Sequence, residues 1–160
     1  MGEFREVARK KQALTKEECI RILTEEPRGV LSVLGDDDYP YGMPIDHWYN
    51  EEDGIIYFHT GKKGHRTDAI LKHDKVSYCV YDQGFRREGE WALNIKSVIV
   101  FGRISIIEDH EKAIEITRKL SLKYIDDEAY IDEEIRRSGA NVLVLAMTPE
   151  HMTGKIVNES

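Results

Sequence analysis

A chain of 160 residues is long enough for one domain built around one sizeable core. Its 23 lysines and arginines stand against 30 aspartates and glutamates, a formal charge of −7. That argues against a general nucleic-acid surface, which needs cations to displace counterions from phosphates.

The opening MGEFREVARKKQ is charged, so residues 1–13 read as an N-terminal extension and not as a signal peptide. LTKEECIRILTEE carries a helix-start signature: Thr15 caps free N–H groups, and Glu18, three residues on, reaches back to it. Ile20 and Leu23 then share a face, and the helix ends near Arg28 and Gly29. GVLSVLG begins a strand and GDDDYP a turn. YGMPIDHWYN follows as one strand, with Met43, Ile45, His47 and Tyr49 on one side. Pro44 cannot donate to a ladder and marks an edge, a bulge or a place where something other than a strand lies alongside. NEEDG turns the chain into IIYFHT as a hairpin, RTDAILKH is a short helix, and KVSYCVY is another strand. DQGFRREGEW is a long polar loop. KSVIVFGRISIIED is the strongest strand, and Gly102 inside it predicts a bend, a bulge or close approach by another backbone. In DHEKAIEITRKLSLKY, Ile114, Thr117, Leu120 and Tyr124 form a helical stripe with Ala113 and Ile116 beside it, and DEEIRR continues helically. NVLVLAMTPEHMTGK supplies a last strand, leaving 150–160 as a short tail. Strands joined by hairpin-length turns favour an antiparallel sheet or barrel with peripheral helices, in an α+β or mostly β single domain over 1–160. No apolar run approaches the ~18 residues of a membrane span.

The segment IIYFHTGKKGHR concentrates charge beyond a buried strand. Gly61 and Gly64 let the backbone turn and approach a ligand. Lys62, Lys63, His65 and Arg66 converge on the start of a short helix, itself a favourable place for an anion. Arginine offers a planar fork to phosphate oxygens and lysine a compact charge. The alternatives are a phosphate site and a solvated basic turn. The Walker spacing and a G-x-G-x-x-G after a strand are both absent from the sequence. The six histidines show no metal spacing. His59 alternates onto the apolar side of Ile55 and Tyr57, where a histidine is a packed core residue unless a cofactor covers that face. Ser97 has no base near it in sequence, and Cys79 reads as a small core residue. Cys19 and Cys79 do not suggest a disulfide, so a reducing compartment is the default.

Six segments in order, FREVARKKQALTKEE, GVLSVLGDDDYPYGMPID, IYFHTGKKGHRTDAI, KVSYCVYD, KSVIVFGRISII and MTGK, resemble flavin-nucleotide-binding proteins of the pyridoxamine 5′-phosphate oxidase-like superfamily, in the branch related to nitroimidazole-resistance proteins. The resemblance implies an FMN-binding split β-barrel and a homodimer with FMN in clefts between subunits. It implies that Lys62, Lys63, His65 and Arg66 receive the FMN phosphate, with Arg66 foremost. Met43, Pro44 and Ile45 would line the ring or ribityl chain. Phe58, His59 and Thr60 would sit at the flavin edge, and Lys96, Ser97 and Val98 at the ring's polar rim, with Lys155 near the same pocket. Trp91 stands where relatives carry an aromatic-rich stretch, and the substrate-phosphate residues of true pyridoxamine phosphate oxidases find no match here.

The implied activity is an FMN-dependent oxidoreductase that passes electrons from a reduced nicotinamide to a small planar acceptor such as a nitroaromatic. His59 would act as catalytic proton donor, and no metal would take part. A non-catalytic flavin-binding or sensing module, or a haem-binding split barrel, are the alternatives. The expected setting is cytoplasmic, with neither nucleic acid nor membrane as partner.

Overall fold

A computed structural model describes residues 3–159 of the chain. The elements in order are α1 (Lys16–Glu25), β1 (Arg28–Leu34), β2 (Pro40–Asp46), β3 (Trp48–Asn50), β4 (Ile55–Gly61), α2 (His65–Lys72), β5 (Lys75–Tyr81), β6 (Leu93–Ile106), α3 (His110–Leu122), α4 (Glu128–Ser138) and β7 (Val142–Glu159). The capping box at Thr15 forms as expected: the Glu18 N–H donates to Thr15 Oγ1 at 3.2 Å, and the Thr15 N–H donates to Glu18 Oε1 at 3.3 Å. Such caps are each worth ~1 kcal/mol.

The strands form one seven-stranded sheet in the order β2-β1-β5-β6-β7-β4-β3, every pairing antiparallel. The sheet curls until β2, at one end of the order, approaches β4 near the other. This is the expected split barrel: the curl hides most strand edges but leaves a slit between β2 and β4. Alternate residues point inward, so Leu31, Val33, Ile56, Phe58, Val76, Tyr78, Val80, Val98, Val100 and Ile104 fill one core. A second, smaller cluster lies outside the barrel, where Ile116 of α3 covers Tyr57, Val144 and Ala146. Burying Ile116 and Leu120 contributes roughly 1.5–3 kcal/mol each.

Gly102 behaves as its position in a long strand suggested. The β6–β7 register slips between Phe101 and Gly102, and a Cβ on Gly102 would lie 2.3 Å from the Thr148 carbonyl oxygen. Pro44 lies in β2, the terminal strand beyond β1, the edge position its missing N–H suggested.

Two expectations need correction. The run YGMPIDHWYN is two strands, broken at His47. The break has a non-local cause: the His47 N–H donates to the Tyr124 hydroxyl at 2.9 Å and leaves the ladder. DEEIRR is helical as expected and lies in α4, whose N-cap Asp127 accepts from the Tyr130 N–H. The residues read as a tail from 150 on are strand as far as Glu159, paired along β6.

Candidate functional site

The basic loop after β4 turns into α2 through Gly64, whose φ of 142° a side chain would strain. Gly64 offers no side-chain cap, so the first-turn N–H groups of α2 are left for another acceptor. The Thr67 hydroxyl donates to the Gly61 carbonyl at 3.1 Å and ties the loop closed. Beside it is a cavity of about 300 Å³ lined by Tyr41, Met43, Pro44, Thr60, Lys63, Gly64, His65, Arg66 and Thr67. β2 and the β4–α2 turn therefore meet across the slit.

Arg66 carries the most informative atom of this cavity. Its Nε is buried and has no hydrogen-bond partner among the described residues. A charged donor removed from water without an acceptor is costly, so such a group is kept where something is meant to fill its place. Burial lowers the Arg66 pKa, and the Tyr41 side chain pulls the other way; guanidinium stays charged regardless. Lys63 adds a second cation, while Lys62, on the same turn, is exposed and outside the cavity lining. His65 is less free than its sequence position suggested. Its ring stacks on Tyr41 with centroids 4.1 Å apart, and its Nε2 accepts from the Asp36 N–H at 3.4 Å.

Of the residues the resemblance pointed to, the structure gathers Met43, Pro44, Thr60, Lys63, His65 and Arg66 around one cavity. Ile45 and Phe58 face the barrel core instead, Phe58 edge-on to Tyr78 at 4.9 Å. Val98 is likewise fully buried in that core. Lys96 sits 3.9 Å from a Glu18 oxygen. Ser97 and Lys155 are register partners on β6 and β7 and line a separate recess beneath Arg5 and Val7. Within one chain, then, the β6–β7 group and the cradle are distinct places.

His59 is not a packed core histidine. It faces outward on β4, opens into a cavity beneath α3 and α4, and has its pKa lowered by burial. Asp46 raises that pKa and Arg66 lowers it.

A buried polar cluster holds the slit's far wall. His47 is 0% exposed, and its Nε2 lies 2.7 Å from the Leu23 carbonyl oxygen, a distance only a donating N–H tolerates. Its Nδ1 must then accept, and the Tyr78 hydroxyl donates to it at 2.6 Å. Lys123, just past the end of α3, donates to the Glu26 carbonyl at 2.7 Å and the His47 carbonyl at 2.9 Å. The Tyr124 hydroxyl donates to the His47 carbonyl at 2.7 Å. Burial, with Lys123 close by, lowers the His47 pKa to about 3. Burial also lowers Lys123 to about 8, against the opposing pull of Asp46 and Glu26. Sequence reading missed this cluster and also missed Tyr41 and Thr67. Tyr41 alone left a signal, standing two residues before Met43 on the same strand.

Among the described residues no group of three or more histidine, cysteine, aspartate or glutamate side chains is placed to hold a metal, and no helix is long and apolar enough to cross a membrane. Both cysteines are free thiols.

Barrel, slit and basic turn together define a split-barrel fold. The chain belongs to the pyridoxamine 5′-phosphate oxidase family, whose model matches residues 15–156. Among solved structures it is similar to a Bacteroides thetaiotaomicron protein named as a candidate 5-nitroimidazole antibiotic resistance protein, at TM-score 0.75 and 18% identity over 91% of this chain and 87% of that one. It is similar to the flavocytochrome Anf3 of Azotobacter vinelandii, at TM-score 0.74 and 20% identity over 94% and 72% of the two chains. A FAD-binding protein of Mesorhizobium loti gives TM-score 0.65 and 21% identity over 91% and 97%. No curated protein matches at a significant level.

Proposed function

We propose that the protein binds a flavin nucleotide, FMN, with the terminal phosphate in the β4–α2 cradle and the ring along the slit. The observation that carries this reading is the buried, unpartnered Nε of Arg66 at the uncapped start of a helix. An anion there accepts from Arg66 and the first-turn amides and is neutralised by Lys63. The printed names of several structural neighbours, a FAD-binding protein and a flavocytochrome among them, favour a flavin as the group that carries the anion.

In this reading Met43 and Pro44 of β2 flank the cofactor beside the cradle, and Thr60 borders it from β4. Bound flavin supplies reversible two-electron chemistry. The protein is then an oxidoreductase that takes electrons from a reduced nicotinamide and delivers them to a small planar acceptor, nitroaromatics being the class suggested by the neighbour named for nitroimidazole resistance. Burial lowers the His59 pKa and so favours the neutral ring, whose N–H can hydrogen-bond an acceptor in the proton-donor role proposed for it.

Lys96, Ser97 and Lys155 enter this scheme through a second copy. The outer face of β5 and β6 carries Ser77, Cys79, Ser97 and Ile99 with exposed Tyr81 and Phe101, a surface suited to packing on itself. A homodimer would bring the β6–β7 group of one subunit to the cradle of the other. The setting proposed is the cytoplasm.

Titration of the flavin-free protein with FMN, followed by flavin fluorescence, tests the cradle. Arg66→Ala is expected to weaken binding ~10-fold or more, the scale of a lost charge-assisted bond. Undiminished affinity in a folded Arg66→Ala variant removes the phosphate assignment. A sedimentation mass of one chain with flavin still bound removes the shared site.

A further inference from the structure

Between the outer faces of β4 and β7 and the helices α3 and α4 lies a cavity of about 230 Å³. Ile114, Ile131, Ile135 and Val144 make its walls apolar, and His59, His110 and Glu134 are its charged or titratable groups. The Thr117 hydroxyl donates to the Ala113 carbonyl at 2.8 Å, and Glu134 pairs with Arg137. The His59 side chain makes no hydrogen bond among the described residues, and burial lowers its pKa. His59 lines the cavity and is itself exposed, so an incoming molecule can reach its ring.

We propose that this cavity is a binding site for a small, uncharged, single-ring molecule, its ring between the isoleucines and Val144 and an acceptor atom on His59. The acceptor atom can be a carbonyl oxygen, a nitro oxygen or a ring nitrogen, since each takes the same N–H. Size sets the first limit, because the cavity falls below the ~300–1,000 Å³ of sites for drug-sized ligands. Charge sets the second. An anion would meet the Glu134 carboxylate with no uncommitted cation in the lining, and a cation would lose its hydration against isoleucine walls. The location gives the site a use. Successive residues of β4 border the two cavities, His59 this one and Thr60 the anion cradle. Its role as the substrate compartment rests on the flavin reading above; the claim that it binds such a molecule does not.

The test is a titration of isotope-labelled protein with benzamide, with sodium benzoate as the charged control of the same shape. Benzamide is expected to shift the backbone amides of His59, Ile135 and Val144 saturably, and benzoate to bind ~10-fold more weakly or not at all. Ile135→Trp should fill the cavity and abolish the shifts, and His59→Phe should weaken binding several-fold by removing the donor. Absence of those shifts at on the order of 10 mM benzamide, the weak end for so small a ligand, overturns the site. So do unchanged shifts in a folded Ile135→Trp variant, and equal affinity for benzoate overturns the restriction to uncharged molecules. Should Ile135→Trp fail to fold, the wild-type shift map and His59→Phe decide the matter. FMN titration of the same sample separates the two readings, since benzamide binding without flavin binding leaves this site standing and sinks only the cofactor.

Discussion

Acidification should destabilise this fold through one residue, His47. The ring is fully buried, donates to the Leu23 carbonyl and accepts from the Tyr78 hydroxyl, so a second proton would have no acceptor and would face Lys123. The folded pKa of about 3 lies below the ordinary 6.5. Between these values the unfolded chain binds a proton that the folded one refuses, so stability falls as pH drops below 6.5 and stops falling near 3. At pH 5 the unfolded state gains about 2 kcal/mol from protonating this one side chain, and at pH 4 about 3 kcal/mol. The figure at pH 5 depends almost wholly on the unfolded value, because any folded pKa below about 4 leaves the buried ring neutral there. Urea unfolding at pH 7.5 and pH 5.0 measures the loss directly. His47→Gln is the control, since an amide can donate to Leu23 and accept from Tyr78 but does not titrate. Carboxylates add their own pH dependence to both proteins, so the quantity to read is the difference between the two losses. A difference near 2 kcal/mol is expected. Equal losses in wild type and His47→Gln would show that His47 accepts its proton in the folded state and would refute the tautomer assigned to the cluster.

Lys123 should give the opposite pH range. Its pKa of about 8 lies below the ordinary 10.5, so the unfolded chain holds the proton more tightly and stability rises with pH across that interval; Lys123→Met should abolish the rise in urea titrations at pH 8 and 10. Tyr78→Phe leaves the buried His47 Nδ1 without a donor and should cost about 1–3 kcal/mol in the same assay at pH 7.5. Gly102→Ala drives a methyl into the Thr148 carbonyl, and forcing the β6–β7 bulge apart should cost on the order of 1–3 kcal/mol. Removing residues 150–160 strips the partner from the first half of β6, so the truncated chain should lose cooperative thermal unfolding; a normal melting transition would return those residues to the status of a tail.

What sequence made legible was local. The capping box at Thr15 needs only residues three apart, the strands announce themselves by alternation, and the cations of the cradle sit in one turn between Gly61 and Arg66. Gly102 was legible because a glycine weakens a long β-branched run, and a strand keeps one there where a bulge or a crossing backbone leaves no room for a Cβ. The break at His47 was illegible for the matching reason. Nothing near it in the chain interrupts the pattern, and the groups that do, Lys123 and Tyr124, lie 76 and 77 residues away. Phe58 and His59 show the limit most sharply: adjacent residues of one strand read from sequence as neighbours of one ligand, yet alternation sends one into the core and the other beneath α3.

The cradle itself shows how the two kinds of information combine. Its cations come from a contiguous turn, but a turn of lysines and arginine open to solvent would hold an anion weakly, since exposed charges gain little over water. The sheet's curl changes that. It brings Tyr41, Met43 and Pro44 of β2 against the turn, buries the Arg66 Nε, and leaves it short of one acceptor. The same curl depends on the corner at His47, where Lys123 and Tyr124 fasten the end of α3 to the junction of β2 and β3. α3 in turn walls the cavity that His59 faces. One buried cluster thus sets the position of β2 for the anion cradle and the position of α3 for the apolar cavity. Loosening it should therefore disturb both sites together, whereas substitutions inside either cavity should leave the other as it was.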